Sequence, residues 1–272
     1  MDNCNCFSNF TGRPKNAKIV KIIDEAKNKK RTLLFDSVFA GMTPGQFSMV
    51  WIRGTDEIPL GCSHLNGVTF QVVGDATTTL FELKTGDSVG LRGPFGRGFS
   101  IPNELENILI VAGGIGAAPL APLAEAAKEA GARVTTLLGA KSADDLIFEN
   151  RMKKAGEVYL TTDDGSLGRK GFVTSVLSEM DLENYSKIYV CGPEMMMKFV
   201  MDILIQKNAV EKSEFSMERY FKCGIGVCGA CCLDETGVRV CKDGPVFPGT
   251  VLLNSEFGKH HRDASGKKIK YG

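Results

Sequence analysis

The sequence predicts a multidomain β plus α/β protein: an antiparallel β-barrel, then a parallel-sheet α/β unit, then a small cysteine-rich module. Three observations predict it. Residues 18–92 hold about six short β-prone runs separated by turns, without sustained helical periodicity. From residue 104 the pattern changes to apolar strands alternating with helices. Five of the nine cysteines fall between positions 223 and 241. The corresponding domains are expected at 1–103, 104–210 and 211–272.

Composition narrows the class. The 272 residues are 43% hydrophobic and 24% charged, enough for cores of ordinary size. A formal net charge of +1 makes no electrostatic case for nucleic acid or an anionic membrane. No apolar run reaches the roughly 18 residues of a membrane span. The opening MDNCNCFSNF has neither a basic region nor an apolar core, so no signal peptide is expected. Clustered cysteines suit metal ligation in a reducing, cytoplasmic setting better than a disulfide scaffold. Cys4 and Cys6 form a C-x-C without partners in reach and are read as incidental.

In the first unit, runs 18–26 and 30–37 flank Asn28-Lys29, a hairpin-turn signal. Run 45–53 (GQFSMVWIR) follows the turn dipeptide Pro44-Gly45, and runs 67–73 and 87–92 complete the set. Two stretches read as loops, 56–63 (DEIPLGCS) and 86–99. The second is dense in glycine and carries Arg92 and Arg97, so its backbone N–H groups can cradle a phosphate. A plain Gly-Pro turn is the commoner meaning of such a stretch.

In the second unit, 107–112 (NILIVA) is a continuous apolar run, as for a strand buried on both faces. It enters Gly113-Gly114-Ile115-Gly116-Ala117-Ala118-Pro119 and a helix over 120–130, whose first turn suits Pro119. Strands follow at 133–139, 158–162 and 187–190, and helices end near 154, 180 and 207. Ser142 to Asp145 resembles a capping box. This is a Rossmann-like βαβ series with helices on both faces of a parallel sheet. A glycine loop between a buried strand and a helix admits a dinucleotide phosphate closely and offers it the helix N-terminus. Pro119 stands where the third glycine of G-x-G-x-x-G would be, so a tight strand–helix turn also explains the loop. Segment 161–166 (TTDDGS) and Cys191-Gly192-Pro193-Glu194 close other strands at the same sheet edge. Met195, Met196 and Met197 are expected to face the core, with one exposed.

In the third unit, Cys223, Cys228, Cys231 and Cys241 read as C-x4-C-x2-C-x9-C. The first three follow the plant-type spacing of a [2Fe–2S] centre. Gly224, Gly226 and Gly229 let the backbone wrap closely and aim N–H groups at sulfur. Zinc, which favours C-x2-C pairs, and free structural thiols are the competing readings. Cys232 reads as a small buried thiol beside the third ligand. His260 and His261 lie in a charged tail beyond residue 255 that is expected to be solvated.

The order of barrel, GGIGxAP, CGPE and cysteine module resembles the ferredoxin reductase-like flavoproteins. ERYFKCGIGVCGACC with GVRVCKDGPVF resembles, more narrowly, the electron-transfer subunits of NAD-dependent dihydroorotate dehydrogenases. The resemblance spans about residues 15–255. It implies an oxidoreductase subunit of pyrimidine biosynthesis with [2Fe–2S], FAD and NAD as cofactors. It also implies an FMN-containing catalytic partner that oxidises dihydroorotate to orotate, assembled as two of each chain.

Residue by residue, the resemblance assigns the cluster to Cys223, Cys228, Cys231 and Cys241. The nicotinamide nucleotide goes to Gly113, Gly114, Gly116, Pro119 and the motif Cys191, Gly192, Pro193 and Glu194. The flavin goes to Gly93, Pro94, Phe95 and Gly96, to Thr77, Thr78 and Thr79, and to Pro59 and Ser63. The first flavin motif departs from the family's Arg-Pro-x-Ser: here it is Ile58-Pro59-Leu60-Gly61, with Ser displaced to Ser63 and Arg53 or Arg92 left to supply the charge. Asp163, with Asp164, is expected near the adenosine ribose, favouring NAD over NADP against Lys141. No catalytic side chain is expected, because the cofactors carry the chemistry. The alternatives are a diaphorase-type subunit of a hydrogenase, sulfide dehydrogenase or transhydrogenase, and a flavin-free iron–sulfur scaffold or sensor.

Overall fold

The computed structural model describes residues 6–7, 10–27 and 30–271, with side chains described from residue 12 onward. The Asn28-Lys29 turn, Cys4 and the Cys6 side chain lie outside the described residues. The first unit contains β1 (Cys6–Phe7), β2 (Phe10–Ala26), β3 (Lys30–Phe35), β4 (Val38–Phe39), β5 (Phe47–Ile52), β6 (Asp56–His64), β7 (Gly67–Gln71), α1 (Asp75–Glu82) and β8 (Ser88–Phe95). Strands β2-β3-β7-β6-β5-β8 close into a barrel. Its interior is filled by Leu33, Val50, Cys62, Val68, Leu80, Val89 and Leu91, all fully buried.

Two local expectations change. Segment 56–63, read as a loop, is strand β6, paired with β5 in the register Met49↔Pro59 and Phe47↔Gly61. Ile58, Leu60 and Cys62 pack with the barrel core, so the intervening Glu57, Pro59, Gly61 and Ser63 take the outer face. Pro59 and Gly61 hid that alternation by looking like breakers. Segment 75–82, where no helix was expected, is the helix α1. Two turns are too short to show helical periodicity, and its first turn is stabilised by Thr77 Oγ1, which accepts from the N–H of Val73 (2.9 Å) and Gly74 (3.0 Å).

The second unit contains β9 (Asn107–Gly113), α2 (Ala117–Glu129), β10 (Arg133–Ala140), α3 (Glu149–Ala155), β11 (Glu157–Thr162), β12 (Arg169–Lys170), α4 (Val173–Glu179), β13 (Lys187–Cys191) and α5 (Glu194–Gln206). The expected strands and helices are present. Ser142 Oγ does donate to Asp145 Oδ2 (3.1 Å), but it opens a single 3-10 turn, and α3 begins only at Glu149. Residues Ile108 to Ala112 are fully buried. Leu109 and Val111 pack on the side of α4 and α5, whereas Ile108, Ile110 and Ala112 pack under α2. Met197 is buried, and Met195 and Met196 are partly so.

The sheet continues past residue 210. Its order is β12-β11-β10-β9-β13-β14-β15, where β14 (Ser213–Ser216) is parallel to β13 and β15 (Val246–Pro248) is antiparallel to β14. The cysteine segment is therefore an excursion between two adjacent strands; the short helix α6 (Val240–Asp243) brings it back to the sheet. Beyond lie α7 (Gly249–Leu252) and a hairpin of β16 (His260–Arg262) and β17 (Lys268–Lys270). The tail expected to be solvated is thus folded. Asp234 of the excursion accepts from His260 (3.0 Å) and Arg262 (2.8 Å), and its pair with Lys268 spans 2.5 Å. These partners hold the Asp234 carboxyl well below the ordinary range, Lys268 and Arg262 first.

Barrel and sheet are joined by polar struts. The buried Lys30 Nζ donates to the Asp145 carbonyl (2.7 Å) and to its Oδ1 (3.1 Å). Arg151 forks onto Glu125 at 2.7 Å through both nitrogens and reaches the Ser63 carbonyl at 3.0 Å. A buried charge kept this close to its partners is tolerable because each donor finds an acceptor.

Candidate cofactor site

The cysteine loop is shaped by backbone that only glycine adopts easily. Gly224, Gly226 and Gly229 have φ of 71°, 78° and 74°. These turns aim amides at sulfur. Cys223 Sγ accepts from Val227 N–H (3.3 Å) and Ile225 N–H (3.4 Å), Cys241 Sγ from Gly226 N–H (3.1 Å), and Cys231 Sγ from Cys241 N–H (3.4 Å). Burial works against the Cys223 thiolate, but the amides of Cys228, Ile225 and Val227 outweigh it and bring the thiol down to about 6. The Cys241 thiol bonds to Cys231 and draws its pKa down, while that of Cys241 itself rises. Thiolate is the form that ligates. Burial and the neighbouring Cys231 push Cys232 the other way, upward.

The spacing of the sulfurs separates the metal readings. Among the described residues, the one trio of His, Cys, Asp or Glu ligand atoms within 4.8 Å of one another is Asp234, Glu256 and His260. No three of the four cysteine sulfurs therefore crowd as a single tetrahedral zinc demands, with sulfurs ~3.8 Å apart for Zn–S bonds of ~2.3 Å. A two-iron centre spreads its four thiolates as two pairs, and the contacts of Cys223 with Cys228 and of Cys231 with Cys241 fit it. The acidic trio is no cation cage, because Arg262, Lys268 and Arg219 already occupy its carboxylates.

The two nucleotide-type loops are in direct backbone contact. A Cβ on Gly116 would stand 2.3 Å from the Cys191 carbonyl oxygen, and a Cβ on Gly113 would stand 2.3 Å from Met196 Sδ. Gly114, at φ 54°, opens onto free space. Across from them, Gly61 on the outer barrel face sees Pro119 of α2, with 3.8 Å between its ideal Cβ and Pro119 Cβ. The structure thus brings Gly61 of β6 to Pro119 at the end of the 113–119 loop, and that loop onto Cys191 to Pro193. Burial pushes the Cys191 thiol up to about 12, so it stays neutral.

Glu194 has a different neighbourhood from the rest of its motif. Its Oε1 accepts from Gly258 N–H (2.8 Å) and Arg219 Nη2 (3.2 Å), and its Oε2 accepts from Arg219 Nη1 (2.5 Å) and Tyr271 OH (2.7 Å). Arg219 Nε continues to Glu256 Oε1 (2.8 Å). The Arg219, Glu194 and Glu256 side chains are 2%, 9% and 0% exposed. Sequence reasoning passed over Arg219; its one signal was its place beside the cysteine motif.

The flavin-side residues divide. Ser63 Oγ is buried, accepts from Thr69 Oγ1 (2.7 Å) and lies 3.0 Å from His64 Nδ1. Thr78 Oγ1 and Thr79 Oγ1 bond back to the carbonyls of Gly74 (3.0 Å) and Asp75 (3.1 Å). Hydroxyls turned onto their own helix leave the first-turn amides of α1 as the donors for a phosphate. Neither candidate arginine is idle: Arg53 bonds Ser88 O (2.9 Å) and Asn16 Oδ1 (2.5 Å), and Arg92 bonds Glu57. Gly93 lies against Phe47 and Ser48 of β5, whereas Phe95 and Gly96 pack against the cysteine excursion. A Cβ on Gly96 would stand 2.5 Å from the Gly244 carbonyl oxygen, and Phe47 meets Phe95 and Phe221 at 5.9 and 4.9 Å between ring centres.

At the far end of the sheet, Asp163 N–H and Asp164 N–H donate to the carbonyls of Ala140 (3.1 Å) and Lys141 (3.2 Å), tying the loops after β10 and β11 together. Asp164 Oδ1 accepts from Ser166 N–H (2.9 Å) and Oγ (2.6 Å), which lower its pKa, while the Asp163 residue is exposed beside it.

A barrel, a nucleotide-type sheet and a tetracysteine loop strung between its last strands define an iron–sulfur oxidoreductase of ferredoxin reductase-like fold. A profile of the iron-sulfur cluster binding domain of dihydroorotate dehydrogenase B matches residues 218–253, and one of the oxidoreductase NAD-binding domain matches 110–202. The solved NADH-dependent reduced ferredoxin-NADP oxidoreductase superposes with a TM-score of 0.78 at 31% identity, covering 89% of this chain and 90% of that one. The ferredoxin-NADP+ reductase from Plasmodium falciparum, with a TM-score of 0.64 and 18% identity, covers 76% of this chain and 96% of that one and shares the fold. A protein of Methanocella arvoryzae is 50% identical over 94% of this chain and 98% of its own, and one of Methanocaldococcus jannaschii is 46% identical over 95% and 99%. Both carry the name "Probable dihydroorotate dehydrogenase B (NAD(+)), electron transfer subunit". The chain belongs to this family of electron-transfer subunits, which favours that reading over the diaphorase-type alternative. A subunit so named works with a catalytic partner.

Proposed function

We propose that the chain takes electrons from an FMN-containing partner that oxidises dihydroorotate to orotate, and delivers them to NAD+, in an assembly of two of each chain. Dihydroorotate gives up two electrons and two protons; NAD+ takes both electrons and one proton, and the other proton enters solvent. The observation that carries the reading is the position of the cysteine excursion. It leaves the sheet beside the nucleotide loops, and the carbonyl of its first cysteine lies 3.4 Å from Arg92 of the barrel. Cys223, Cys228, Cys231 and Cys241 would hold the [2Fe–2S] centre. Pro59, Ser63, Thr77 and the α1 amides would border FAD, and Gly113 to Pro119 with Cys191 to Pro193 would receive NAD. A bound flavin supplies the exchange between two-electron hydride chemistry and one-electron transfer. The protein's part is to stack the rings and keep the path short.

Purified alone, the chain is expected to oxidise NADH with an artificial acceptor and to form no orotate from dihydroorotate. Orotate formation by the lone chain would refute the division of labour. The native mass of the complex with its partner tests the two-plus-two assembly. No described helix is long and apolar enough to cross a membrane. Thiolate ligands and the free cysteines fit a reducing cytoplasm.

The nucleotide preference follows from Asp163. Its carboxylate repels a 2′-phosphate, an effect of ~1 kcal/mol for a solvated charge pair near 4 Å, or about fivefold in rate ratio. NADH is expected to outperform NADPH, and Asp163→Ala to narrow the ratio about fivefold. Asp164→Ala, which loosens the turn held by Ser166, is expected to affect both nucleotides alike. Steady-state rates with each nucleotide check this; a wild type that prefers NADPH sinks it.

A further inference from the structure

Arg92 lies on β8 next to Leu91, whose side chain is fully buried in the barrel core, so Arg92 takes the outer face. It is 8% exposed. Its Nε and Nη2 donate to Glu57 Oε1 (2.7 Å) and Oε2 (2.5 Å), a fork-on-fork ion pair that reaches across β5 from β8 to β6. Its Nη1 and Nη2 also each lie 3.4 Å from the carbonyl oxygen of Cys223. Met49, the cross-strand partner of Arg92, closes the seat: a Cβ on Gly224 would stand 2.8 Å from Met49 Cγ. A charged pair belonging to the barrel is thus held against the first cysteine of the loop, with the Arg92 side chain 10% and the Glu57 side chain 22% exposed.

We propose that Arg92 and Glu57 set the reduction potential of the [2Fe–2S] centre held by this loop, in opposite directions. The proposal rests on the cluster reading of the four cysteines. Reduction adds one negative charge to the centre. The guanidinium, on the Cys223 side of the pair, stabilises that charge and raises the potential; the carboxylate behind it attenuates the effect. Net charge and solvent exposure are among the levers by which a protein tunes such a centre. Here the lever belongs to the barrel, so the unit proposed to hold the flavin also adjusts the centre that exchanges electrons with it. A purely structural pair predicts something else: either substitution would loosen the same contact and disturb the centre in the same sense.

The test is an EPR-monitored redox titration of the full chain carrying its centre, with iron and acid-labile sulfide measured first. Arg92→Gln is expected to lower the midpoint, by about tenfold in the one-electron equilibrium constant, which is ~59 mV. Glu57→Gln is expected to raise it, the double variant to return towards wild type, and Arg92→Lys to stay near wild type. An unchanged midpoint in Arg92→Gln, or shifts of the same sign in the two single variants, overturns the proposal. If Arg92→Gln fails to assemble a centre, the Glu57→Gln variant decides alone: a midpoint that does not rise overturns it. A wild-type chain without iron and sulfide overturns the cluster reading, and this inference with it.

Discussion

Serine at Cys223, Cys228, Cys231 or Cys241 is expected to abolish the [2Fe–2S] centre, while Cys232→Ser retains it. The C-x4-C-x2-C spacing selects the first set, and three of its four sulfurs, those of Cys223, Cys231 and Cys241, accept from backbone N–H groups of the loop. Cys232 stands one residue out of the C-x2-C register. A hydroxyl is a far poorer ligand to iron than a thiolate at neutral pH, so loss of one thiolate abolishes or severely destabilises the centre. Iron and acid-labile sulfide per chain, with the visible spectrum, measure the outcome. A centre that survives Cys231→Ser and disappears in Cys232→Ser would reverse the assignment.

Arg219→Ala is expected to destabilise the chain by ~3–5 kcal/mol, the usual cost of leaving buried partners of an ion pair uncompensated. Two carboxylates, Glu194 and Glu256, lose the same guanidinium, and both are at least nine-tenths buried. Arg219→Lys is expected to recover only part of the loss, because an ammonium cannot fork onto Glu194 while reaching Glu256. Denaturant unfolding of the three proteins measures this. A loss below about 1 kcal/mol for Arg219→Ala would show that the network is dispensable, at the level of an exposed pair.

What was legible in the sequence was local. The run from Ile108 to Ala112 announces a strand buried on both faces, and it is one. Cysteine spacing and interleaved glycines mark the loop because the constraint acts between near neighbours. The strand β6 was hidden because Pro59 and Gly61 sit on its outer face, where they break no core contact. Helix α1 was hidden by its length and its threonines. The two strands that flank the cysteine segment escaped notice because four residues and three residues carry little pattern; only pairing defines them, β14 with β13 and β15 with β14. The tail was read as solvated from its charges, yet His260, Arg262 and Lys268 find Asp234 across the fold, and the tail's own Glu256 finds Arg219. Arg92 and Arg219 were illegible for the same reason: each is defined by partners distant in sequence, and a single chain of letters does not show which distant charges meet.

The pairing of β14 with β15 has a consequence for how the metal centre is acquired. Phe215 faces Phe247 and Ser216 faces Val246, so both ends of the cysteine excursion are clamped side by side by the sheet. Closing that loop is a cost borne by folding of the sheet and by burial of Met217, Leu233 and Val240 in its core. Small zinc modules do the reverse, gathering their ligands only when the ion arrives and unfolding when it leaves. Here the ends of the loop are tied by sheet pairing that involves none of the four thiols, so taking up or losing the metal is expected to leave the sheet in place.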